Sequence, residues 1–216
     1  MLFFSEVSYA TRRFGATGPT GQLLVKQALE QGYSVTALAR TPEKLAIQHS
    51  SLRVVKGNVL DVGVVEETIS GADAALSCLG RRSPFSGKGD VSTGTHNITV
   101  AMKKLGVRRL IIESAYGAGS SREFASVGMN LVTSILLGWA YQEKAVLEPD
   151  VMSSGLDWVI VRPPALRDGP KTGQYRVGEG LRLSVRNWIN RADVADFMLK
   201  QVASDEWLRK TPTISM

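Results

Sequence analysis

Residues 14–21 read Phe-Gly-Ala-Thr-Gly-Pro-Thr-Gly, which places glycines at positions 15, 18 and 21. This spacing is typical of the turn between a strand and a helix that binds a dinucleotide. The first glycine permits a tight turn, the second lets a pyrophosphate approach the backbone, and the third lets the helix pack closely on the sheet. The start of such a helix also offers free N–H groups and the positive end of a dipole. The stretch predicts a phosphate-binding loop, with a purely structural turn as the alternative.

The residues that follow the glycines favour the dinucleotide interpretation. Apolar residues recur at helical spacing over 23–29, and Gly32 ends that pattern. Residues 33–39 then read as a strand. Further strands are predicted over 52–57, 72–79 and 110–114, and helices over 61–70 and 92–105. This alternation predicts one α/β domain with an open parallel sheet.

Composition narrows the class of protein. The formal charge of +6 is spread over pairs such as Arg81-Arg82 and Arg108-Arg109, which is typical of a solvated surface, and no helix-turn-helix or aromatic-basic module accompanies it. We therefore expect no nucleic-acid partner. The single cysteine, Cys78, excludes an intramolecular disulfide framework and a cysteine-based zinc site. No stretch approaches the roughly twenty apolar residues of a membrane span, so we expect a cytoplasmic protein that does not bind membranes.

The residue after the second strand selects the cofactor. An acidic residue there would bind the ribose 2′-OH of NAD, whereas a cation accommodates the 2′-phosphate of NADP. Arg40 occupies this position, and Lys44 follows one turn later. The sequence therefore predicts NADP; two solvent-facing cations are the alternative.

Several residues at predicted strand ends are candidates for the same site, because ligands bind at the carboxyl edge of an open parallel sheet. Asn58, Val59, Leu79 and Gly80 are expected to line the adenosine and ribose sites. Ser114 ends another strand and is expected to hydrogen-bond the nicotinamide or a substrate carbonyl, unless it is simply a turn residue.

The first strand is unusual, because central parallel strands are near-continuous apolar runs and residues 7–14 are polar. Burying Arg12 or Arg13 unpaired would be costly, so we expect this strand to be short, shifted or poorly ordered. Residues 1–13 are interpreted as an atypical N-terminus, such as a misassigned start would give.

The most apolar helical region is predicted over 124–151, either as a packed helix or as a lid or partner surface. Tyr141 and Lys144 lie three residues apart, whereas the Tyr-x-x-x-Lys pair of ordinary short-chain dehydrogenases requires four. Farther on, the sequence predicts a hairpin over 173–185 that turns near 178–180, and a helix that begins near Asn190. Arg191 and Asp193 in that helix are predicted to be structural.

Four motifs together carry a resemblance to a known family: residues 15–21, Arg40, Gly-Leu-Asp-Trp-Val-Ile-Val-Arg-Pro-Pro at 155–164 and Thr-Gly-Gln-Tyr at 172–175. The chain resembles the atypical, NmrA-like short-chain dehydrogenases, and most closely the biliverdin-IXβ reductase/flavin reductase group, from about residue 14 onward. The resemblance implies a doubly wound, mostly parallel Rossmann sheet in three α/β/α layers, with residues 1–216 as a single domain. It implies an NADPH-dependent reductase that passes hydride to a flavin, a biliverdin-like tetrapyrrole or a related planar acceptor.

The resemblance also implies the roles of individual residues. The residues at the phosphates would be Gly15, Thr17, Gly18, Pro19, Thr20 and Gly21, with Arg40 and Lys44 at the 2′-phosphate. Asn58 and Val59 would bind the adenine. The ribose and nicotinamide would contact Leu79, Gly80 and Arg81, with Pro163 and Pro164 beside the nicotinamide. Ser114 is the candidate catalytic residue, and it offers at most a hydrogen bond. The substrate cleft would be built from loops 81–91, 115–140 and 163–185.

Two positions depart from the group's pattern. Asn58 stands where the group usually has Asp, although an amide oxygen can still accept a hydrogen bond. Ala165 stands where the group can have a histidine, so a mechanism that needs that imidazole is excluded. The alternative function is a non-catalytic NADP(H)-binding redox sensor of the NmrA-like type, which would act through a protein partner.

Overall fold

The computed structural model describes residues 9–80, 90–126 and 138–216, with side chains described at all of these except 138–141. Six strands form its central sheet. They are β1 (Ala10–Phe14), β2 (Ser34–Ala39), β3 (Leu52–Lys56), β4 (Ala74–Ser77), β5 (Arg109–Glu113) and β6 (Asp157–Val161). The strands are all parallel and lie in the order β3-β2-β1-β4-β5-β6. This order is that of the doubly wound dinucleotide-binding fold, which confirms the predicted fold class.

Helices cover both faces of the sheet. They are α1 (Pro19–Glu30), α2 (Val62–Ile69), α3 (Asp90–Lys104), α4 (Gly138–Ser153) and α5 (Arg191–Lys200). One core cluster joins α1 and α5 to alternate strand residues such as Ala37 and Leu76. The other joins α2, α3 and α4 to the intervening residues, such as Leu38 and Ala75. Side chains of a strand alternate between its faces, so these two clusters establish three α/β/α layers.

In the described part of the chain, four short strands lie outside the central sheet: β7 (Ala165–Arg167), β8 (Arg176–Gly178), β9 (Trp188–Asn190) and β10 (Thr213–Ser215). β7 pairs with β9, and β8 pairs antiparallel with β10. The predicted hairpin over 173–185 is therefore wrong. Part of the reason is that Tyr116 takes the backbone groups that a hairpin would use: its hydroxyl donates to the oxygen of Leu181 at 3.0 Å and accepts the N–H of Leu183 at 3.0 Å.

The segment before β8 is bound to α5 by a buried carboxylate. Asp193 accepts the N–H groups of Thr172 and Gly173 at 2.7 and 2.8 Å and the Thr172 hydroxyl at 3.0 Å. Its side chain is fully buried. No helix within the described ranges is long and apolar enough to cross a membrane.

The polar first strand is in place at the centre of the sheet, so the prediction that it is short, shifted or poorly ordered is wrong. All five residues of β1 pair with β2, and four of them pair with β4 on the other side. Arg12 donates to the oxygen of Ser70 at 2.7 Å. Arg13 is fully buried, and in the described part of the chain none of its three guanidinium nitrogens has a hydrogen-bond partner. Burial lowers the pKa of Arg13 to about 9.

Candidate functional site

A cavity of about 320 Å³ opens at the carboxyl ends of the strands, beside the junction of β1 and β4. β1 leads into α1 on one face of the sheet, while α3, which follows β4, lies on the other face. Connections that diverge in this way create the crevice in which open α/β sheets bind ligands. The lining residues are Phe14, Gly15, Thr17, Gly18, Leu38, Ala39, Arg40, Thr41, Lys44, Gly57, Asn58, Val59, Cys78, Leu79, Gly80, Asp90 and Val91.

The glycine loop forms the floor of this cavity, and its geometry requires glycine at two positions. Gly15 has φ +77°, and a Cβ there would lie 2.5 Å from the oxygen of Cys78. A Cβ on Gly21 would lie 2.2 Å from the oxygen of Gly15. Gly18 is the N-cap of α1 and has no side-chain oxygen to offer the first N–H groups of the helix. These N–H groups and the helix dipole make the loop suited to a phosphate.

Two exposed cations face the same cavity from the end of β2. Arg40 follows β2 directly, and Lys44 ends a short 3-10 turn over Pro42–Lys44. Thr41 makes no side-chain capping bond to this turn. The two cations give this side of the cavity a positive charge, as a 2′-phosphate requires.

The opposite wall is held by α3. Asn58 uses its side-chain oxygen to accept the N–H of Leu60 at 3.2 Å, and that oxygen has a second lone pair for a ligand. The oxygen of Val59 accepts a hydrogen bond from the side-chain amide of Asn97 at 3.0 Å. The sequence predicts no role for Asn97, because Asn97 and Val59 are 38 residues apart along the chain.

Lys144 is given no catalytic role by the sequence, because its spacing from Tyr141 is one residue short, yet the structure makes it a functional candidate. Its ammonium, on α4, donates to the backbone oxygen of Leu79 at 2.9 Å and to that of Glu113 at 2.6 Å. It thereby joins the ends of β4 and β5 at the rim of the cavity. Burial lowers the pKa of Lys144, and the carboxylates of Glu113 and Glu148 oppose that shift.

Lys144 is not preceded by the tyrosine of a Tyr-x-x-x-Lys pair. The residue four positions before it is Ala140, and the side chain of Tyr141 lies outside the described side chains. The signal that could have identified Lys144 is its spacing from Glu148, since residues i and i+4 share one face of a helix.

A half-buried acidic group contacts the start of α1. The Glu113 carboxylate accepts a hydrogen bond from the Thr20 hydroxyl at 3.3 Å. Burial raises the pKa of Glu113, while Lys144 opposes the shift. Burial also raises the pKa of the Cys78 thiol well above its usual value, and nearby Glu113 adds to this. The thiol is therefore protonated at neutral pH.

Ser114, the predicted catalytic residue, belongs to a buried network. Its hydroxyl donates to a carboxylate oxygen of Glu148 at 2.5 Å, and its side chain is buried. Arg162 donates to both oxygens of the same carboxylate, at 3.2 and 2.6 Å. The Ser114 proton is thus bonded to Glu148, so the hydroxyl can offer a ligand only a lone pair.

The cavity brings together much of the predicted cofactor site. The predicted residues that line it are Gly15, Thr17, Gly18, Arg40, Lys44, Asn58, Val59, Leu79 and Gly80. Pro19, Thr20 and Gly21 form the first turn of α1 and do not line the cavity. Pro163 and Pro164 are buried after β6, outside the lining. Arg81 and parts of the predicted cleft loops, 81–89 and 127–137, lie outside the described residues. The binding role of each residue stays a prediction.

Comparison with known proteins agrees with this geometry. The model of the NAD(P)H-binding family matches residues 15–205. An uncharacterised chloroplastic protein of Arabidopsis thaliana is 29% identical over 204 residues, with 89% of this chain and 71% of that protein covered. The photosystem II assembly factor Ycf39 of Synechocystis is 24% identical, and the match covers 91% of this chain but only 59% of Ycf39. The reductase pytE of Aspergillus terreus is 27% identical, with 94% and 96% covered.

Solved structures share the fold. ChuY, an anaerobilin reductase from Escherichia coli O157:H7, superposes with a TM-score of 0.80 at 23% identity, covering 95% of this chain and 96% of ChuY. A short-chain dehydrogenase/reductase from Veillonella parvula in complex with NADP gives a TM-score of 0.79 at 18% identity, with 96% and 95% covered. At these identities the similarity concerns the fold.

Proposed function

Because the chain belongs to the NAD(P)H-binding family, we propose that it is an NADPH-dependent reductase that transfers hydride to a planar conjugated acceptor. The acceptor would be a flavin, a biliverdin-like tetrapyrrole or a related ring system. The observation that carries the proposal is the cavity itself, in which the glycine loop and the cations Arg40 and Lys44 line one continuous surface.

NADP rather than NAD is proposed from the charges on this surface. Arg40 and Lys44 line the cavity where the second strand ends. Because a guanidinium binds phosphate through two parallel N–H donors, Arg40 is the main contact for the 2′-phosphate, and Lys44 adds a second cation. The N–H groups at the start of α1 would hold the pyrophosphate.

The chain's contribution to the reaction is mainly position and electrostatics. NADPH, when bound, supplies the hydride, and alignment of donor and acceptor lowers the barrier. Lys144 has three N–H donors, of which two bond the oxygens of Leu79 and Glu113, so one remains for a ribose hydroxyl or the acceptor. Ser114 accepts a hydrogen bond at most, and the proton needed by the reduced acceptor comes from water.

Similar proteins support the reductase, and one of them supports a tetrapyrrole acceptor. ChuY is described as an anaerobilin reductase and pytE as a reductase. Ala165 replaces the imidazole found in part of the flavin reductase group, which favours acceptors that need no protein-derived proton.

Anaerobic NADPH oxidation tests this function, with FMN, riboflavin and biliverdin as acceptors and NADH as the comparison cofactor. Turnover of at least one acceptor with a clear preference for NADPH is expected. The loss-of-function variant is Gly18→Asp. Asp is a good N-cap for α1, but it brings a carboxylate to the phosphate site. This variant should keep its fold by circular dichroism and lose turnover. NADPH binding without reduction of any acceptor would contradict the reductase.

That last outcome would support the second candidate, a non-catalytic NADP(H) sensor with a protein partner. Two observations favour it: Ala140 lies where a catalytic tyrosine would stand, and the Ser114 proton is bonded to Glu148. The relative Ycf39 is described as an assembly factor. A pull-down whose bound partner changes between NADP and NADPH would distinguish this function.

A further inference from the structure

One side chain outside the cavity connects its two anion-binding segments. Gln22 lies on the first turns of α1, is half-buried, and does not line the cavity. Its side-chain amide nitrogen donates to the backbone oxygen of Thr17 at 3.1 Å and to that of Lys44 at 3.4 Å. A side-chain amide has two N–H donors, so one glutamine can bond both oxygens at once. The phosphate loop and the Lys44 turn are thereby linked.

The Lys44 turn has little regular structure of its own. It is a single 3-10 turn, closed by bonds from the N–H of Lys44 to Thr41 at 3.1 Å and from the N–H of Leu45 to Pro42 at 2.9 Å. The Leu45 side chain is buried and anchors one end in the core. The oxygen of Lys44 itself is bonded by Gln22. This bond fixes the backbone from which the exposed Lys44 side chain extends over the cavity.

We propose that Gln22 is a positioning residue that sets the preference of this protein for NADPH over NADH, because it holds Lys44 where a 2′-phosphate would bind. The proposal rests on the proposed NADPH-dependent function. NADH has no 2′-phosphate, so its affinity does not depend on the placement of Lys44. The bond to Thr17, by contrast, supports the phosphate loop that both cofactors use. Loss of the bond to Lys44 should therefore weaken only NADPH binding, whereas loss of the bond to Thr17 should weaken the binding of both cofactors alike.

The test is the ratio of the dissociation constants of NADH and NADPH, measured by calorimetry on the full chain. Gln22→Met keeps the length of the side chain and removes both donors. We expect about fivefold weaker NADPH binding and NADH binding within about twofold of wild type, as loss of one optimally placed charge contact implies. Gln22→Asn keeps the amide but is one methylene shorter, and it should lower the ratio in the same direction. Gln31→Met, at the exposed far end of the same helix, is the matched control and should leave the ratio unchanged.

A second experiment tests whether Gln22 acts through Lys44. In a Lys44→Ala background, Gln22→Met should have no further effect on the ratio, because the group that it positions is absent. Equal weakening of both cofactors, an unchanged ratio, or an effect that persists without Lys44 would each overturn the inference. Wild-type protein that binds NADPH no better than NADH would instead overturn the proposed NADPH preference, and the inference with it.

Discussion

Arg162 and Glu148 form a buried ion pair joined by two hydrogen bonds, with side chains only 2% and 1% exposed. The pair joins β6 to α4, and Ser114 adds the end of β5 through its bond to the same carboxylate. The ends of β5 and β6 and helix α4 are therefore held together by one carboxylate.

Removal of that carboxylate should destabilise the protein strongly. Glu148→Ala leaves the Arg162 guanidinium buried without its counter-charge, and such a loss costs about 3–5 kcal/mol of unfolding free energy. Urea denaturation would measure it. Glu67→Ala is the matched control, because its pair with Arg53 is exposed and contributes less than about 1 kcal/mol. Similar losses in the two variants would contradict the prediction.

Lys144→Met should impair both stability and turnover. The oxygens of Leu79 and Glu113 lose a charged donor, and each unsatisfied buried group costs about 1–3 kcal/mol. Because Leu79 lines the cavity, we also expect kcat/KM for NADPH oxidation to fall by about tenfold or more. Lys200→Met, which removes a half-exposed lysine of α5 that lies outside the cavity lining, should leave kcat/KM unchanged. Unaltered kcat/KM in Lys144→Met would show that its role is only structural.

Arg13→Leu should stabilise the protein by a few kcal/mol, because it removes an unpaired buried cation. The gain should depend on pH. Folded Arg13 releases its proton near pH 9, whereas the unfolded chain keeps this proton to a much higher pH. Wild type therefore regains stability from this group as pH rises above 9, and the advantage of the variant is full below pH 9 and shrinks above it.

Thermal denaturation of both proteins from pH 7 to 10 would measure this effect. Arg12→Leu is the control, because Arg12 has a bond to Ser70 and its loss should give a smaller gain or none. A destabilised Arg13→Leu would mean that the guanidinium has a partner in the folded protein.

Arg40→Ala should reduce NADPH affinity selectively. One charge-assisted hydrogen bond contributes about 1.5–3 kcal/mol, so we expect about 10- to 100-fold weaker NADPH binding with NADH binding nearly unchanged. The wild-type preference should also decrease as salt is added, because Arg40 is exposed. Arg53→Ala, an exposed arginine on neighbouring β3, is the control. An equal decrease in the affinities for NADPH and NADH would mean that Arg40 does not contact the 2′-phosphate.

The fold and the cofactor edge of the site could be predicted from the sequence because they depend on local order. A glycine loop between a strand and a helix has one geometry, and residues that follow parallel strands must meet at one edge of the sheet. Arg40, Asn58 and Leu79 all line the cavity for this reason.

Other features depend on contacts between distant residues. Lys144 bonds oxygens 31 and 65 residues away, which no spacing rule encodes. The hairpin prediction failed because Tyr116, not β8, bonds Leu181 and Leu183. For β1, the cost of burying Arg13 argued against an ordered central strand. The hydrogen-bond ladders to β2 and β4, which join the two halves of the sheet, outweigh that cost.

The three bonds that Asp193 accepts from Thr172 and Gly173 have a consequence for acceptor binding. A loop that becomes ordered only when its ligand arrives loses conformational entropy at that step, and this loss weakens affinity. The segment that Asp193 holds is already ordered, so an acceptor that contacts it avoids this loss. Selection among acceptors on that side of the cleft would then follow the shape of a rigid wall.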